Sequence, residues 1–223
     1  MSFLIFSNRD WFKGIEKDLS LDLNKKFYYF SKKEDLDYNK ILKLNPEMIF
    51  FPFWSNFIPE KIFNNFVSVI FHMTDLPYGR GGSPLQNLLV RGIQKTKISA
   101  LKCVKEIDAG PIYLKKDLDL DGSAQKIYLK SSKIIKSMIY EIINKKIKPY
   151  PQKGKPTYFK RRKPKDSDIS KLVTIEEIYN HIRMMDAEGY PRSFMNNKNL
   201  KIEFYNAKKT STGVSAKVLI REI

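Results

Sequence analysis

The alternation of strand-like and helix-like segments constrains the fold of this chain more than any other feature of its sequence. Short runs rich in β-branched and aromatic residues predict four strands, at positions 3–6, 26–30, 48–53 and 67–71. A helix with Asn8 as its N-cap is expected after the first strand, over residues 8–19. Because strands that alternate with helices pair in parallel, the sequence predicts an α/β fold with a Rossmann-like, doubly wound, mostly parallel sheet.

The second half of the chain predicts a long helix followed by a small α+β appendage. Residues 85–90 are an expected helix capped by Ser83, and residues 97–104 and 112–116 are expected strands. Ser123 is expected to cap a long helix. Its apolar face, at helical spacing, consists of Ile127, Ile134, Ile135, Met138, Ile139, Ile142 and Ile143. Pro149, Pro151 and Gly154 indicate a linker, so we expect a main domain over residues 1–148 and a C-terminal subdomain over 149–223.

Within the C-terminal subdomain, Thr174 and Glu177 have the spacing of a capping box at the start of a helix. Residues 201–205 and 217–220 predict strands. His181 lies on the helix among charged neighbours, and we expect its side chain to be solvated.

Composition excludes several classes of protein. Hydrophobic residues make up 42% of the 223 residues, which excludes a disordered chain. A single cysteine, Cys103, excludes a disulfide framework and a thiolate metal cluster, and its apolar setting predicts burial. No metal site is expected. The first residues are too few for a signal peptide and no apolar run reaches the length of a membrane span, so we expect a cytoplasmic protein without a membrane partner.

The net charge of +17 is concentrated in the segment from Lys145 to Lys165, which we call the basic run. This run contains ten lysines and arginines and no acidic residue. It also contains the aromatic residues Tyr150, Tyr158 and Phe159. Such a segment could bind nucleic acid through phosphate contacts and stacking, or attract another polyanion. Because lysine, asparagine and isoleucine are common throughout the chain, we attribute the charge to compositional bias and do not expect a nucleic-acid partner.

Two polar residues follow predicted strands and suggest chemistry. His72 ends the apolar run 67–71, and Asp108 follows 36 residues later, before Ala109 and Gly110. The carboxyl ends of strands carry the binding sites of α/β proteins, and a histidine with an aspartate can act as a general acid/base pair. The pair alone is weak evidence, because a histidine at a strand end is often structural and an aspartate before Ala-Gly is often a turn residue.

The motif around these residues is more specific than the pair. It contains His72, Thr74, Leu76-Pro77 and Arg80-Gly81, and then Asp108-Ala109-Gly110-Pro111. The segment 51–120 thereby resembles the formyltransferases that use 10-formyl-tetrahydrofolate, with weaker likeness in 161–164 and 185–191. The resemblance implies an enzyme with His72 and Asp108 as catalytic residues.

The resemblance also implies a folate pocket in the aromatic loop after the third strand. Family members wrap the pterin ring there with backbone groups and apolar side chains, as a flat heteroaromatic ring requires. The implied residues for 10-formyl-tetrahydrofolate are Phe53, Trp54, Ser55, Asn56, Phe57, Ile58, Lys105, Glu106, Ile107 and Asp108.

The sequence of residues 71–87 looks most like that of the small sugar-amine branch of the family. It implies substrate binding by Arg80, Gly81, Gly82, Ser83 and Gln86. We therefore expect formyl transfer to the amine of a nucleotide-activated deoxyamino sugar, by an enzyme of the pseudaminic-acid-pathway type. A homodimer is possible. The alternatives are a methionyl-tRNA formyltransferase, for which only about 70 residues follow Pro149, and an inactive folate- or sugar-binding relative.

One position departs from the family pattern. Ile70 stands where the family has an asparagine two residues before the histidine, whose amide steadies the oxyanion. An isoleucine cannot donate a hydrogen bond, and losing one oxyanion donor costs ~10²–10³ in rate. Asn56 and Gln86 are the candidates for a substitute donor, and protonated His72 acting alone is the other possibility.

Overall fold

The computed structural model describes residues 2–223, which form one large sheet, two small sheets and the helices around them. The strands are β1 Ser2–Phe6, β2 Lys26–Phe30, β3 Pro46–Phe51, β4 Ser68–His72, β5 Arg80–Gly81, β6 Lys95–Lys102, β7 Ile112–Asp119, β8 Tyr158–Phe159, β9 Ser193–Asn197, β10 Leu200–Lys209 and β11 Val214–Glu222. The α-helices are α1 Ile15–Leu23, α2 Tyr38–Leu44, α3 Glu60–Asn65, α4 Pro84–Leu89, α5 Ala124–Asn144 and α6 Ile175–Met185. Short 3₁₀ turns cover Asp10–Phe12, Lys33–Asp35 and Pro164–Ser167.

The large sheet has the strand order β2-β1-β3-β4-β6-β7. The first four of these strands are parallel, and β6 runs antiparallel to β4. Residues 3–6 of β1 are fully buried, which is typical of an inner strand of a parallel sheet. The predicted α/β fold with a mostly parallel sheet is confirmed, and the carboxyl ends of β1, β3 and β4 lie along one edge.

The described chain divides into two compact units that are interleaved along the sequence. Unit 1 comprises the residues up to Arg80, Lys97–Asp117 and Ser131–Tyr158, and it contains the parallel strands. Unit 2 comprises Gly81–Thr96, Leu118–Lys130 and Phe159–Ile223. The units do not coincide with the predicted division into residues 1–148 and 149–223, which stays a prediction about domains.

Unit 2 contains an antiparallel sheet with the order β11-β10-β9, and α6 packs on β10. The predicted capping box is present: the Thr174 hydroxyl accepts from the Glu177 N–H, and the Glu177 carboxylate accepts from the Thr174 N–H. The sequence analysis missed β9, which has no alternating apolar pattern. The polar residues of β9 are paired by the neighbouring β10.

Two predicted helix starts are wrong. Asn8 does not cap a helix, because α1 begins only after its N-cap Gly14, whose φ is 89°; the Asn8 side-chain nitrogen donates to the Ser55 hydroxyl at 2.8 Å. Ser83 precedes α4 but makes no cap hydrogen bond. Its hydroxyl instead accepts from the backbone N–H of Arg162, 79 residues away.

His181 and Cys103, which lie outside the predicted catalytic pair, are both shielded from solvent to some extent. His181 is half-buried rather than solvated. Its Nδ1 donates to the Glu177 carbonyl, and burial lowers the pKa of the imidazole. Cys103 is buried as predicted, and burial together with the charge of Asp108 raises the pKa of its thiol to about 11. In residues 2–223, no helix combines the length and the apolar character needed to cross a membrane.

Candidate active site

The last residue of β4 delivers His72 to the carboxyl edge of the sheet. The side chain is nearly buried, and both ring nitrogens face acceptors: Nε2 lies 2.8 Å from the Gly79 carbonyl oxygen, and Nδ1 lies 3.4 Å from Asp108 Oδ2. A carbonyl oxygen can only accept, so Nε2 carries a proton. The structure therefore brings the two predicted catalytic residues together in unit 1.

Asp108 lies in the loop between β6 and β7, in the left-handed region of backbone space with φ of 52°. A side chain other than glycine adopts this conformation at some cost, and such positions cluster in functional sites. Its carboxylate is only 12% exposed, facing the imidazole. At 3.4 Å and sheltered from water, this carboxylate is placed to orient the imidazole of a general acid/base pair.

The loop after β4 is held by the segment that follows α5. The backbone N–H of Gly79 donates to the Thr157 hydroxyl at 2.8 Å, and the backbone N–H of Arg80 donates to the Thr157 carbonyl at 2.9 Å. The Arg80 guanidinium donates to the Gln152 side-chain oxygen through Nε and through a terminal nitrogen, at 3.2 and 2.7 Å. Sequence reasoning missed Gln152 because Pro149, Pro151 and Gly154 indicated a linker there, and it missed Thr157 because no local pattern singles it out.

The residues expected to hold the folate occupy two loops of unit 1. The loop of residues 52–59 follows β3, the Lys105–Ile107 stretch follows β6, and an ion pair joins Lys105 to Glu60 at the start of α3 (3.4 Å). Phe57 and Ile107 are 77% and 71% exposed, so both loops present apolar surface to solvent. Trp54 contacts the core edge-on at Phe6 and in a tilted arrangement at Phe51, and its buried Nε1 has no hydrogen-bond partner within residues 2–223.

The residues expected to bind the amine substrate follow β4 along the chain, and the boundary between the two units falls between Arg80 and Gly81. Arg80 belongs to unit 1, whereas Gly81, Gly82, Ser83 and Gln86 belong to unit 2. Gln86 is buried, and its amide donates to the Tyr128 hydroxyl at 3.0 Å and to the Met184 carbonyl at 3.3 Å. Both amide protons are thus used inside unit 2, so Gln86 is corrected from a substitute oxyanion donor to a core residue. Asn56, which is half-buried, stays the candidate.

Ile70 packs against the two apolar clusters of unit 1, one containing Phe6 and Phe51 and the other containing Leu101 and Ile112. We expect Ile70→Asn to lower the free energy of unfolding by about 1–3 kcal/mol, because an amide replaces apolar packing and is left partly unsatisfied. We also expect the formylation rate to rise by less than twofold. Urea unfolding and steady-state kinetics measure the two effects. Conversion of an inert protein into an active one would identify the natural chain as an inactive relative.

Comparison with known proteins identifies the family. Residues 164–221 match the family model described as the C-terminal domain of methionyl-tRNA formyltransferase. The structure superimposes on that of a methionyl-tRNA formyltransferase from Clostridium thermocellum with a TM-score of 0.96, at 45% identity over 100% of this chain and 99% of the other. The chain belongs to the formyltransferase family. Members are enzymes that take the formyl group from 10-formyl-tetrahydrofolate, so the predicted family, enzyme class and cofactor are confirmed.

More distant relatives define the limits of this assignment. The methionyl-tRNA formyltransferase of Mesoplasma florum is 27% identical over 175 residues, which are 74% of this chain and 56% of that protein. The chain thus spans about half the length of the curated relatives it matches. A sugar N-formyltransferase from Shewanella is 14% identical with a TM-score of 0.74, over 94% of this chain and 98% of the other, and this likeness shows the fold alone.

The sequence-based predictions of a sugar-amine substrate and of no nucleic-acid partner are wrong. They depended on the likeness of residues 71–87 to the sugar-amine branch and on the small number of residues after Pro149. Those residues include the 58 that match the methionyl-tRNA formyltransferase C-terminal model, and the relative at 45% identity carries the same name at nearly the same length. Similarity along the whole chain outweighs the likeness of residues 71–87 to one branch, because it extends over 100% of this chain at 45% identity.

Proposed function

We propose that this chain transfers the formyl group of 10-formyl-tetrahydrofolate to the α-amine of methionyl-tRNA. The 45% identity to the Clostridium thermocellum methionyl-tRNA formyltransferase, over the full length of both chains, carries the proposal. The His72–Asp108 pair supplies the polar groups that an amine acylation needs.

The two loops of unit 1 fit a flat heteroaromatic ring. Phe57 and Ile107 expose apolar surface that such a ring would cover, and the partnerless Trp54 Nε1 is a donor that a ring nitrogen or oxygen could satisfy. Residues 53–58 and 105–108 would therefore hold the folate. When bound, 10-formyl-tetrahydrofolate supplies the formyl carbon that the amine attacks.

His72 would donate its Nε2–H to the formyl oxygen and stabilise the negative charge that develops there as the amine attacks. In the structure this N–H donates to the Gly79 carbonyl at 2.8 Å, so Nε2 must exchange that hydrogen bond for one to the substrate. The Asp108 carboxylate, 3.4 Å from Nδ1, keeps the ring oriented during that exchange.

The basic run supplies groups that suit a tRNA. Its lysines and Arg161 are exposed, as are the rings of Tyr150 and Tyr158, while Arg162 has a buried Nε without a partner within residues 2–223. Exposed cations bind phosphates by releasing counterions, and exposed aromatic rings stack on bases. The compositional explanation of this charge is therefore replaced by a substrate-binding one.

The proposal is tested by incubating the protein with 10-formyl-tetrahydrofolate and methionyl-tRNA and detecting formylmethionine by mass spectrometry after deacylation. We expect formylation of methionyl-tRNA and background rates with free methionine or with a nucleotide-linked amino sugar. Equal rates with free methionine would refute a tRNA substrate.

We further expect binding of tRNA to weaken steeply with salt. A protein that makes about six phosphate contacts loses about 10³-fold in affinity between about 50 and 200 mM salt. The double variant Lys153→Glu/Lys155→Glu should raise Kd about tenfold and flatten this dependence, because it removes phosphate contacts. Lys17→Glu/Lys43→Glu makes the same charge change on exposed positions of α1 and α2 and serves as the control. Equal losses in the two variants would assign the effect to net charge and contradict a site in the basic run.

A further inference from the structure

Gln152 connects the two loops that contact His72, although it lies in the segment after α5. Its side-chain nitrogen donates to the carbonyls of Asp108 and Gly110, at 2.8 Å each. Its side-chain oxygen accepts from two nitrogens of Arg80, at 3.2 and 2.7 Å. The opposite orientation of the amide would place its oxygen against two carbonyls and its NH₂ against the guanidinium, so the chemistry of the neighbours fixes this orientation.

The segment that carries Gln152 is fastened on both sides of it. Tyr150 exchanges two backbone hydrogen bonds with Ile112 at the start of β7, at 2.8 and 2.9 Å. Thr157 donates its backbone N–H to the Pro77 carbonyl (3.2 Å) and binds the backbone of Gly79 and Arg80. Gln152 therefore lies between two fixed points, and its position is set by backbone pairing rather than by its own flexible side chain.

The two loops joined by Gln152 are the ones that hold His72 by its two nitrogens. One loop presents the Asp108 carboxylate to Nδ1, and the other presents the Gly79 carbonyl, next to Arg80, to Nε2. Because Asp108 has a φ of 52°, the direction of its side chain depends on keeping this backbone conformation. The hydrogen bonds of Gln152 to the carbonyls of Asp108 and Gly110 hold the backbone at that aspartate and just beyond it.

We propose that Gln152 is a positioning residue for the reaction: it clamps the Asp108 loop to the Arg80 loop and so sets the geometry of the His72–Asp108 pair. Its kinetic consequence rests on the proposed function, whereas its structural consequence at His72 does not. Misplacement of a reacting group by about 1 Å costs about 10²-fold in rate, which is the loss expected when the clamp is removed.

Two variants remove different hydrogen bonds of Gln152. Gln152→Glu keeps an acceptor for Arg80 and loses both donors to the Asp108 loop, whereas Gln152→Met has a similar length and makes neither set of hydrogen bonds. We expect both to lower kcat for methionyl-tRNA about 10²-fold with KM within about twofold. Gln94→Ala, at an exposed glutamine of unit 2, should retain the wild-type kcat.

The second readout does not depend on activity. The chain has two histidines, so protein labelled with ¹⁵N-histidine gives ring signals from His72 and His181 alone, and His181→Asn assigns them. We expect both Gln152 variants to shift the His72 ring signals and to leave those of His181 in place. A merely structural role would lower the melting temperature without moving the His72 signals.

The possible outcomes are distinct. Shifted His72 signals together with a reduced kcat support the positioning role. Unchanged His72 signals overturn it whatever the rate, and so does a kcat within twofold of wild type. If the wild-type protein does not formylate methionyl-tRNA, the proposed function fails, and the spectra of the Gln152 variants still decide whether the clamp sets the geometry at His72.

Discussion

Replacement of either member of the catalytic pair, His72→Asn or Asp108→Ala, is expected to lower kcat/KM for formyl transfer by about 10²–10⁴-fold, the usual contribution of general acid/base catalysis. The physical reason is that each variant removes one side of the 3.4 Å contact between Nδ1 and the carboxylate. Kinetics with methionyl-tRNA as the amine substrate measure the loss. Retention of more than about a tenth of the wild-type rate by either variant would contradict the assignment.

Stability distinguishes this effect from unfolding. His72→Asn leaves the buried Gly79 carbonyl without its donor, which costs about 1–3 kcal/mol, so a modest fall in melting temperature accompanies the loss of rate. Asp108→Ala should unfold close to the wild-type temperature. His181→Asn alters the other histidine, which lies on α6 of unit 2, and should keep the wild-type kcat/KM.

Gly110→Ala is the second substitution for which we expect a large effect. A Cβ at this position would lie 1.8 Å from the carbonyl oxygen of Lys102, an overlap that only a shift of backbone can relieve. The same stretch pairs β6 with β7, since the Lys102 N–H donates to the Pro111 carbonyl at 2.8 Å. We expect a loss of about 3 kcal/mol in the free energy of unfolding, measured by urea denaturation, and a loss of formyl transfer.

Gly213→Ala is the matched control for that substitution. A Cβ at Gly213 would meet no atom within 4 Å, and its φ lies outside the left-handed region. The control should therefore unfold and react like the wild-type protein. If Gly110→Ala behaved like Gly213→Ala, the close approach of the Asp108 loop to β6 would be wrong.

Prediction from the sequence succeeded where the signal is local. The apolar run that forms most of β4 contains Val69, Ile70 and Phe71 and ends at His72, and this pattern predicted His72 at the sheet edge. The capping box of α6 involves residues three apart, and it formed as predicted. Asp108 was found through the family motif, whose spacing is also readable along the chain.

Prediction failed where a distant residue competes for a local group. The Ser83 hydroxyl was expected to cap α4 but accepts from the backbone N–H of Arg162. Gln86 was a candidate oxyanion donor, whereas Tyr128 and Met184 use both of its amide protons. In both cases the partner belongs to a segment that only folding brings close, so no local pattern indicates it.

The sequence by itself determined the alternating order of strands and helices, the parallel part of the sheet and the family, because hydrophobic periodicity and the His72 to Asp108 motif are properties of the chain. Tertiary structure decided what surrounds the catalytic pair. Gln152 and Thr157 are separated from His72 by 80 and 85 residues, and no local pattern indicates that their segment returns to the loop at Arg80. Hydrogen bonds between segments so far apart in the chain exist only after the sheet has assembled, and they determine which way His72 and Asp108 face.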